Sequence, residues 1–310
     1  MEVAAISGYV LRRLIQAILV ILGITVVVFV VMRLSGDPAA LILPLDATAA
    51  QVAAARHALG VDQPIYVQFW RFISGVAHGD FGASLSSGQP AMQEVLQRFP
   101  KTAYLALVAM VLAMLWAFPA GVLSATREGS AWDIGALSVS LVGQSMPVFW
   151  IGLMLITIFG VALRWFPVSG SQKLTSVVLP AVSLAILFGS TLMRQVRSGM
   201  VEVMRANFVR TARAKGLPER VVLYRHALRN TLLPVVTVIG LQVGTLLGGA
   251  VITEEVFAWP GLGRLIIGAI GERDFPVVQA GVFVIAVLFV ATVAVTDIAY
   301  VLLDPRVSLK

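Results

Sequence analysis

The sequence predicts an all-α integral membrane protein with six transmembrane helices, and three observations carry that expectation. The first is composition: 58% of the 310 residues are hydrophobic and only 13% are charged, whereas soluble domains carry about a quarter charged residues. The second is that six segments reach the roughly 20 mostly apolar residues needed to cross a bilayer. The third concerns the basic residues behind the net charge of +7. They sit at the ends of apolar runs and are not interleaved with aromatics on a polar domain. That placement sets membrane orientation and argues against nucleic acid as a partner.

In chain order the predicted spans are Leu14–Met32, Thr102–Ser124, Ile134–Leu163, Leu174–Met193, Thr231–Thr253 and Phe275–Leu303. The first follows Arg12 and Arg13 like a signal peptide. Its apolar run is too long for an h-region, and no small-x-small site follows, so it reads as an uncleaved anchor. The third is long enough to tilt or kink, with Pro147 as the kink point. Pro119, Pro180 and Pro234 also fall in or beside spans, which a packed bundle tolerates and an isolated lipid-facing helix does not. Asp297, in the last span, is the one ionisable residue well inside any of the six.

Lysine and arginine give the orientation. With a cytoplasmic N-terminus, the inner segments 1–13, 125–133, 194–230 and 304–310 hold fourteen of the 23 basic residues, nine of them in 194–230. The outer segments hold the other nine over a greater length, so both termini are expected in the cytoplasm. The chain divides accordingly into 1–32, an external helical loop at 33–101, a five-helix core at 102–303 containing the loop 194–230, and a cytoplasmic tail at 304–310. Within the external loop, Val52, Ala55 and Leu59 have helical spacing over Ala49–Leu59, and Gly60 is a stop. Tyr66, Phe69, Trp70 and Phe72 follow. This part reads either as a cap with aromatics at headgroup depth or as a docking platform for an external partner.

Several chemistries are excluded. There are no cysteines, hence no disulfides, thiolate metal sites or thiol nucleophiles. His57, His78 and His226 have no zinc-site spacing. No GxxxxGK[ST] occurs, so the chain has no P-loop of its own. An intramembrane hydrolase needs a nucleophile and base at membrane depth, and no histidine lies in any span.

The loop 194–230 contains "FVRTARAKGLPERVVLYRHALRN", residues 208–230, a stretch whose only acid is Glu219. On a helical wheel Phe208, Ala212 and Gly216 form one stripe, Val209 lies beside it, and Arg210 and Arg213 flank it. Gly216 is a plausible helix end, and Pro218 opens a second helix over Glu219–Arg229 with Val222, Leu223 and His226 along one side. The charges alone are explained by topology and lipid headgroups, each worth about 1 kcal/mol near the surface. That reading leaves the small residues Ala212 and Gly216 unexplained; a second reading, which the residues alone do not decide against the first, is close approach by a partner protein that the charges orient.

This loop, continued through "NTLLP", resembles the cytoplasmic signature loop of ABC-importer permease subunits of the dipeptide/oligopeptide/nickel branch. "LSGDPA", "LGVDQPIYVQFWRF", "GDFGASL", "EEVFAWPGLGRL", "RDFPVVQA" and "LLDPR" are similar to that branch in the same order, over about Val10 to Arg306. Arg210, Thr211 and Ala212 stand where the wider family has Glu-Ala-Ala. Gly216 matches, and Leu233-Pro234 lies further on than in the general pattern. The resemblance implies a type I ABC-importer (MetI-like) permease fold. It also implies a coupling helix made of Phe208, Arg210, Thr211, Ala212, Arg213, Ala214, Lys215, Gly216 and Leu217. The implied partners are a second homologous permease subunit, one or two ABC ATPase subunits that bind ATP and Mg, and an external solute-binding protein. No cofactor is expected in this chain, which is not catalytic by itself, and the solute is a short peptide or a related small molecule.

Four residues are candidates for the pore or gate. Asp297 is either a site for a coupling ion or peptide amine, or a structural carboxylate near the cytoplasmic end of its span. Used as the former, it supports the alternative of an ion-coupled secondary transporter, which calls for more intramembrane charges than this chain has. Trp259, in a Trp-Pro-Gly turn, is an interface anchor or borders an external gate. Gln242 and Thr245 are polar groups on the fifth span, whose Gly240, Gly244, Gly248 and Gly249 allow close helix packing.

Overall fold

A computed structural model describes residues 2–34 and 47–303, so the "SGDPA" stretch and the tail 304–310 lie outside the described residues. Among the described residues there are helices and turns, and a single isolated bridge between Ala83 and Pro90. The helices are α1 (Glu2–Leu34), α2 (Ala49–Leu59), α3 (Ile65–Ala77), α4 (Ala91–Thr126), α5 (Ala131–Ser145) and α6 (Val148–Leu155). They continue with α7 (Val178–Met204), α8 (Asn207–Ala214), the single turn α9 (Glu219–Val221), α10 (Arg229–Val256), α11 (Leu262–Gly271) and α12 (Phe275–Leu303).

Four helical stretches are long and apolar enough to cross a membrane: Ile15–Leu34, Ala91–Thr126, Leu174–Met204 and Phe275–Thr296. Two bent pairs bring the number to six if each pair is one span. One is the predicted third span, in which α5 and the helix Val148–Ala162 meet at 105°. The sequence foresaw a kink at Pro147, and the structure makes it a break. Proline lacks the N–H for the helical ladder, and Pro147 caps α6 with φ −59° and ψ 136°, an extended backbone that turns the chain. The other pair bends by 52° at Pro234.

The chain forms two compact units: residues to Thr102 together with Pro260–Leu288, and Ala103–Trp259 together with the chain from Phe289. In the first unit, α2 has the expected signals. Thr48 and Gln51 form a capping box, and Gly60, at φ 64°, ends the helix in the left-handed conformation that glycine adopts without strain. The aromatics that follow divide. Tyr66 and Trp70 are exposed, while Phe69 and Phe72 pack on Phe29 with ring centroids 5.3 and 5.4 Å away. Phe81 extends this cluster to Phe283. Buried beside it are Val95, Leu262, Ile266 and Val278.

The second unit is built around α7. Of the best apolar window in Leu174–Met204, 72% is buried, against 17% in Ile15–Leu34. With no hydrophobic drive between helices in lipid, small residues let the backbones close in. A Cβ added at Gly189 would overlap the Trp116 indole, and one at Gly143 would lie 3.0 Å from Ile186. The Trp116 indole N–H donates to the Ala185 carbonyl at 3.0 Å, and the Ser140 hydroxyl to the Ser190 carbonyl at 2.7 Å. Leu105, Leu184, Leu246 and Trp259 fill one cluster; Met193, Val196, Met200 and Val235 fill another.

Candidate functional site

The basic loop folds as α8, a turn, and then α9 running through a π-helical stretch, Val222–Leu228, into α10. The second short helix expected over Glu219–Arg229 is thus the beginning of the fifth span. Nothing in its sequence stops it: Val222 and Ala227 bury their side chains, and no glycine or proline intervenes before Pro234.

The predicted stripe does not form one outer surface. Ala212 is buried with Val209 and Val222, and Val203 packs against them. The wheel found an apolar face, and the chain uses that face to seat α8 on itself. Phe208, Arg210, Thr211, Arg213, Ala214, Lys215, Gly216 and Leu217 remain exposed. Gly216 has φ 72°, and nothing lies within 4 Å of where its Cβ would stand. Its geometry lets the Leu217 N–H return to the Ala212 carbonyl at 3.4 Å and end α8. Arg213 donates to Glu219 at 2.6 and 3.2 Å across this turn, and the Glu219 carboxylate raises the Arg213 pKa further. α8 therefore presents a cationic face of fixed charge.

A polar network that sequence reasoning missed holds the base of this loop. Arg197 on α7 donates to Asp133, which is 2% exposed and also accepts from the Ser124 hydroxyl at 2.5 Å and the Gly129 N–H at 2.9 Å. Beyond it, Arg205 pairs with Glu128 at 3.0 Å. The local part was visible in "GSAWD", where the Ser130 hydroxyl caps the Asp133 N–H at 3.3 Å. The long-range partner gave no sequence signal.

The gate candidates scatter. Gln242 donates to the Phe188 carbonyl at 3.1 Å, and the exposed Thr245 spends its hydroxyl on the Gln242 carbonyl at 2.9 Å. Trp259 is 2% exposed and stacks on Tyr104 with centroids 6.4 Å apart. The interface-anchor expectation is overturned: the indole packs in the core with Leu105, Leu184 and Leu246, directly after the left-handed Ala258 (φ 47°). Asp297 lies on α12, and its side chain, like Gly248 and Gly249, lies outside the described residues. In the first unit, a cavity of about 340 Å³ is lined by Arg98, Gly261, Arg264, Glu272 and Asp274. Asp274 is 1% exposed and accepts from the Ser84 hydroxyl at 2.5 Å. The Thr102 hydroxyl accepts the Leu262 N–H at 2.7 Å, where α11 begins.

The described helices include enough apolar length for several membrane crossings, and α8, seated on its own unit, shows arginines on its exposed side. The comparisons place the chain. Residues 117–309 match the family described as binding-protein-dependent transport system inner membrane component, and residues 6–106 match its N-terminal companion. The chain belongs to that family, as a multi-pass inner-membrane permease subunit of an ABC importer whose ATP is hydrolysed by separate subunits. It is 40% identical to the glutathione transport system permease protein GsiC of Salmonella paratyphi A, over 98% of this chain and 99% of that protein. It is 41% identical to the di/tripeptide transport system permease protein DppB of Pseudomonas aeruginosa, over 97% and 98%. An inward-facing MetNI methionine ABC transporter chain superposes with a TM-score of 0.58 at 18% identity, covering 69% of this chain and 97% of that one.

Proposed function

We propose that this chain, together with a second related membrane subunit, forms the pore of an importer for short peptides or a related small solute, and that α8 is its coupling helix. The observation that carries the proposal is the two-sidedness of α8. Val209 and Ala212 seat it on its own unit, and Arg210, Thr211 and Lys215 face outward for a partner. The solute class draws support from the names of the relatives, glutathione and di/tripeptide permeases.

In this reading both termini and the loop 194–230 face the cytoplasm. ATP and Mg are held by one or two ATPase subunits, and an external binding protein delivers the solute. Closure of the ATPases draws the coupling helices together and rocks the spans from inward-open to outward-open. The Arg197–Asp133 pair ties α7 to the first turn of α5 at the base of this loop, and Val203 on α7 packs against the buried face of α8, which gives displacement of α8 a route to the spans.

The chain has no cysteine, so a single introduced cysteine is unique within it. In the assembled transporter, Thr211→Cys and Lys215→Cys are expected to cross-link to an ATPase subunit, and Val209→Cys is not. Failure of both exposed positions to cross-link, with the complex intact, removes α8 as the coupling helix. The solute itself is read by identifying the small molecule that co-purifies with the binding protein.

A further inference from the structure

α7 runs past the predicted end of the fourth span at Met193 and continues to Met204, so Arg194 stands inside a membrane-length helix. Its guanidinium donates to the side-chain carbonyl of Gln144 on α5. The Gln144 amide in turn donates to the Thr191 hydroxyl at 3.4 Å. Thr191, Arg194 and Ser198 follow one another at helical spacing on one face of α7, and none of them is buried. Gln144 is exposed, as is Ser145 next to it.

Two features open this cluster to water. The first is the direction of Arg194. One turn nearer the loop base, Arg197 pairs with Asp133 in the first turn of α5. About 16 Å of α5 separates Asp133 from Gln144, at 1.5 Å per residue. An arginine that snorkels turns its head to the nearer interface, whereas the Arg194 head turns away from the loop base, to Gln144. Its partner is a neutral amide, and among the described residues no carboxylate pairs with it. A guanidinium left unneutralised at that depth calls for water or an anion. The second feature is the break after α5. That helix ends at Ser145, and the last carbonyls of a helix have no partner within it. Ser145 and Pro147 are exposed, so this chain does not bury the break. Irregular backbone at membrane depth persists only inside protein or along a water-filled cavity. The unneutralised charge favours a path over a sealed contact between subunits.

We propose that Gln144, Thr191 and Arg194 line the solute path, and that the Arg194 guanidinium receives a carboxylate of the passing solute. The assignment rests on the pore reading above and adds to it the group that the pore recognises.

The test uses the full chain in its assembled transporter, in inside-out membrane vesicles without nucleotide. The chain has no cysteine, so Ser145→Cys and Thr191→Cys each place one thiol beside the cluster. The probes are methanethiosulfonates carrying a sulfonate or a trimethylammonium group, and labelling is read as the intact mass of this subunit. Both thiols are expected to react, and Val139→Cys, on another exposed face of α5, is not. Adding Arg194→Gln lowers the ratio of anionic to cationic labelling by about tenfold, one attraction and one repulsion lost at about 6 Å in water. Arg194→Lys keeps the ratio near its original value. Silence of both thiols, equal labelling of Val139→Cys, or an unchanged ratio in Arg194→Gln overturns the proposal. Dialanine is expected to protect Thr191→Cys, and its C-terminal amide is not; equal protection by the two overturns the carboxylate assignment. No protection by either, with the charge preference intact, counts against peptides as the solute and leaves the anion site standing.

Discussion

Arg197 donates two hydrogen bonds to Asp133, at 2.6 and 2.8 Å, and so fastens α7 to the first turn of α5 across 64 residues of chain. The carboxylate is 3% exposed and the guanidinium 20%. Deleting one partner therefore leaves a largely desolvated charge. Arg197→Met is expected to cost about 3–5 kcal/mol, seen as a lower melting temperature of the detergent-purified subunit. Arg197→Met combined with Asp133→Leu removes both charges and regains part of that loss. A single variant that melts like wild type would mean that water already screens the pair.

Packing in the second unit makes an independent prediction. The Gly189 backbone lies against the Trp116 indole, with no room for a methyl group. Gly189→Ala forces either the indole or α7 to move, and overpacking of this kind costs about 1–3 kcal/mol. Thermal unfolding should show that loss, and a smaller ring in Gly189→Ala/Trp116→Phe should recover part of it. Gly129→Ala does not test the same thing, since Gly129 has open space but φ 77°.

The spans were legible because bilayer thickness imposes a length and a composition that twenty residues express locally, and Gly60, Gly216 and Pro147 each mark a backbone event in one position. What a span packs against is not local. The wheel correctly grouped Ala212 with an apolar face, but the partners of that face, Val203 and Val222, lie on separate elements. Asp133 and Ser84 found their partners 64 and 190 residues away. Trp259 looked like an interface residue because its neighbours Pro260 and Gly261 make a turn. Its burial comes from Leu105, Leu184 and Leu246, none of which is near it in sequence.

Gly216 separates two effects that a bulky substitution would mix. Its φ of 72° penalises any side chain, and its surroundings are empty. Asparagine tolerates the left-handed region and alanine does so at about 1–2 kcal/mol. Gly216→Asn is thus expected to keep stability and substrate-stimulated ATP hydrolysis in the complex. Gly216→Trp, by contrast, projects a ring from the coupling face and uncouples hydrolysis from transport. Normal coupling in Gly216→Trp would move the docking contact elsewhere.

Orientation has its own test. Reporter fusions at Gly129 and at Glu219 should both give cytoplasmic signals, as the concentration of basic residues in 194–230 requires. An external signal from either overturns the assignment of α8 to the ATPase side, whatever the cross-linking yields.

The Arg213–Glu219 pair distinguishes docking from local structure. Its side chains are 41% and 55% exposed, so the bond contributes about 0–1 kcal/mol and neither Arg213→Ala nor Glu219→Gln should shift the melting temperature much. Both substitutions break the same ion pair, but only the first removes the positive charge. If Arg213 orients a partner, Arg213→Ala lowers substrate-stimulated hydrolysis and increases its salt sensitivity relative to Glu219→Gln, which keeps near-normal coupling. If Arg213 serves only to brace the Gly216–Pro218 turn, the two variants lose coupling equally, since the turn loses the same brace in each. Measuring both at two ionic strengths separates these outcomes, because a contact across an exposed interface is screened by salt.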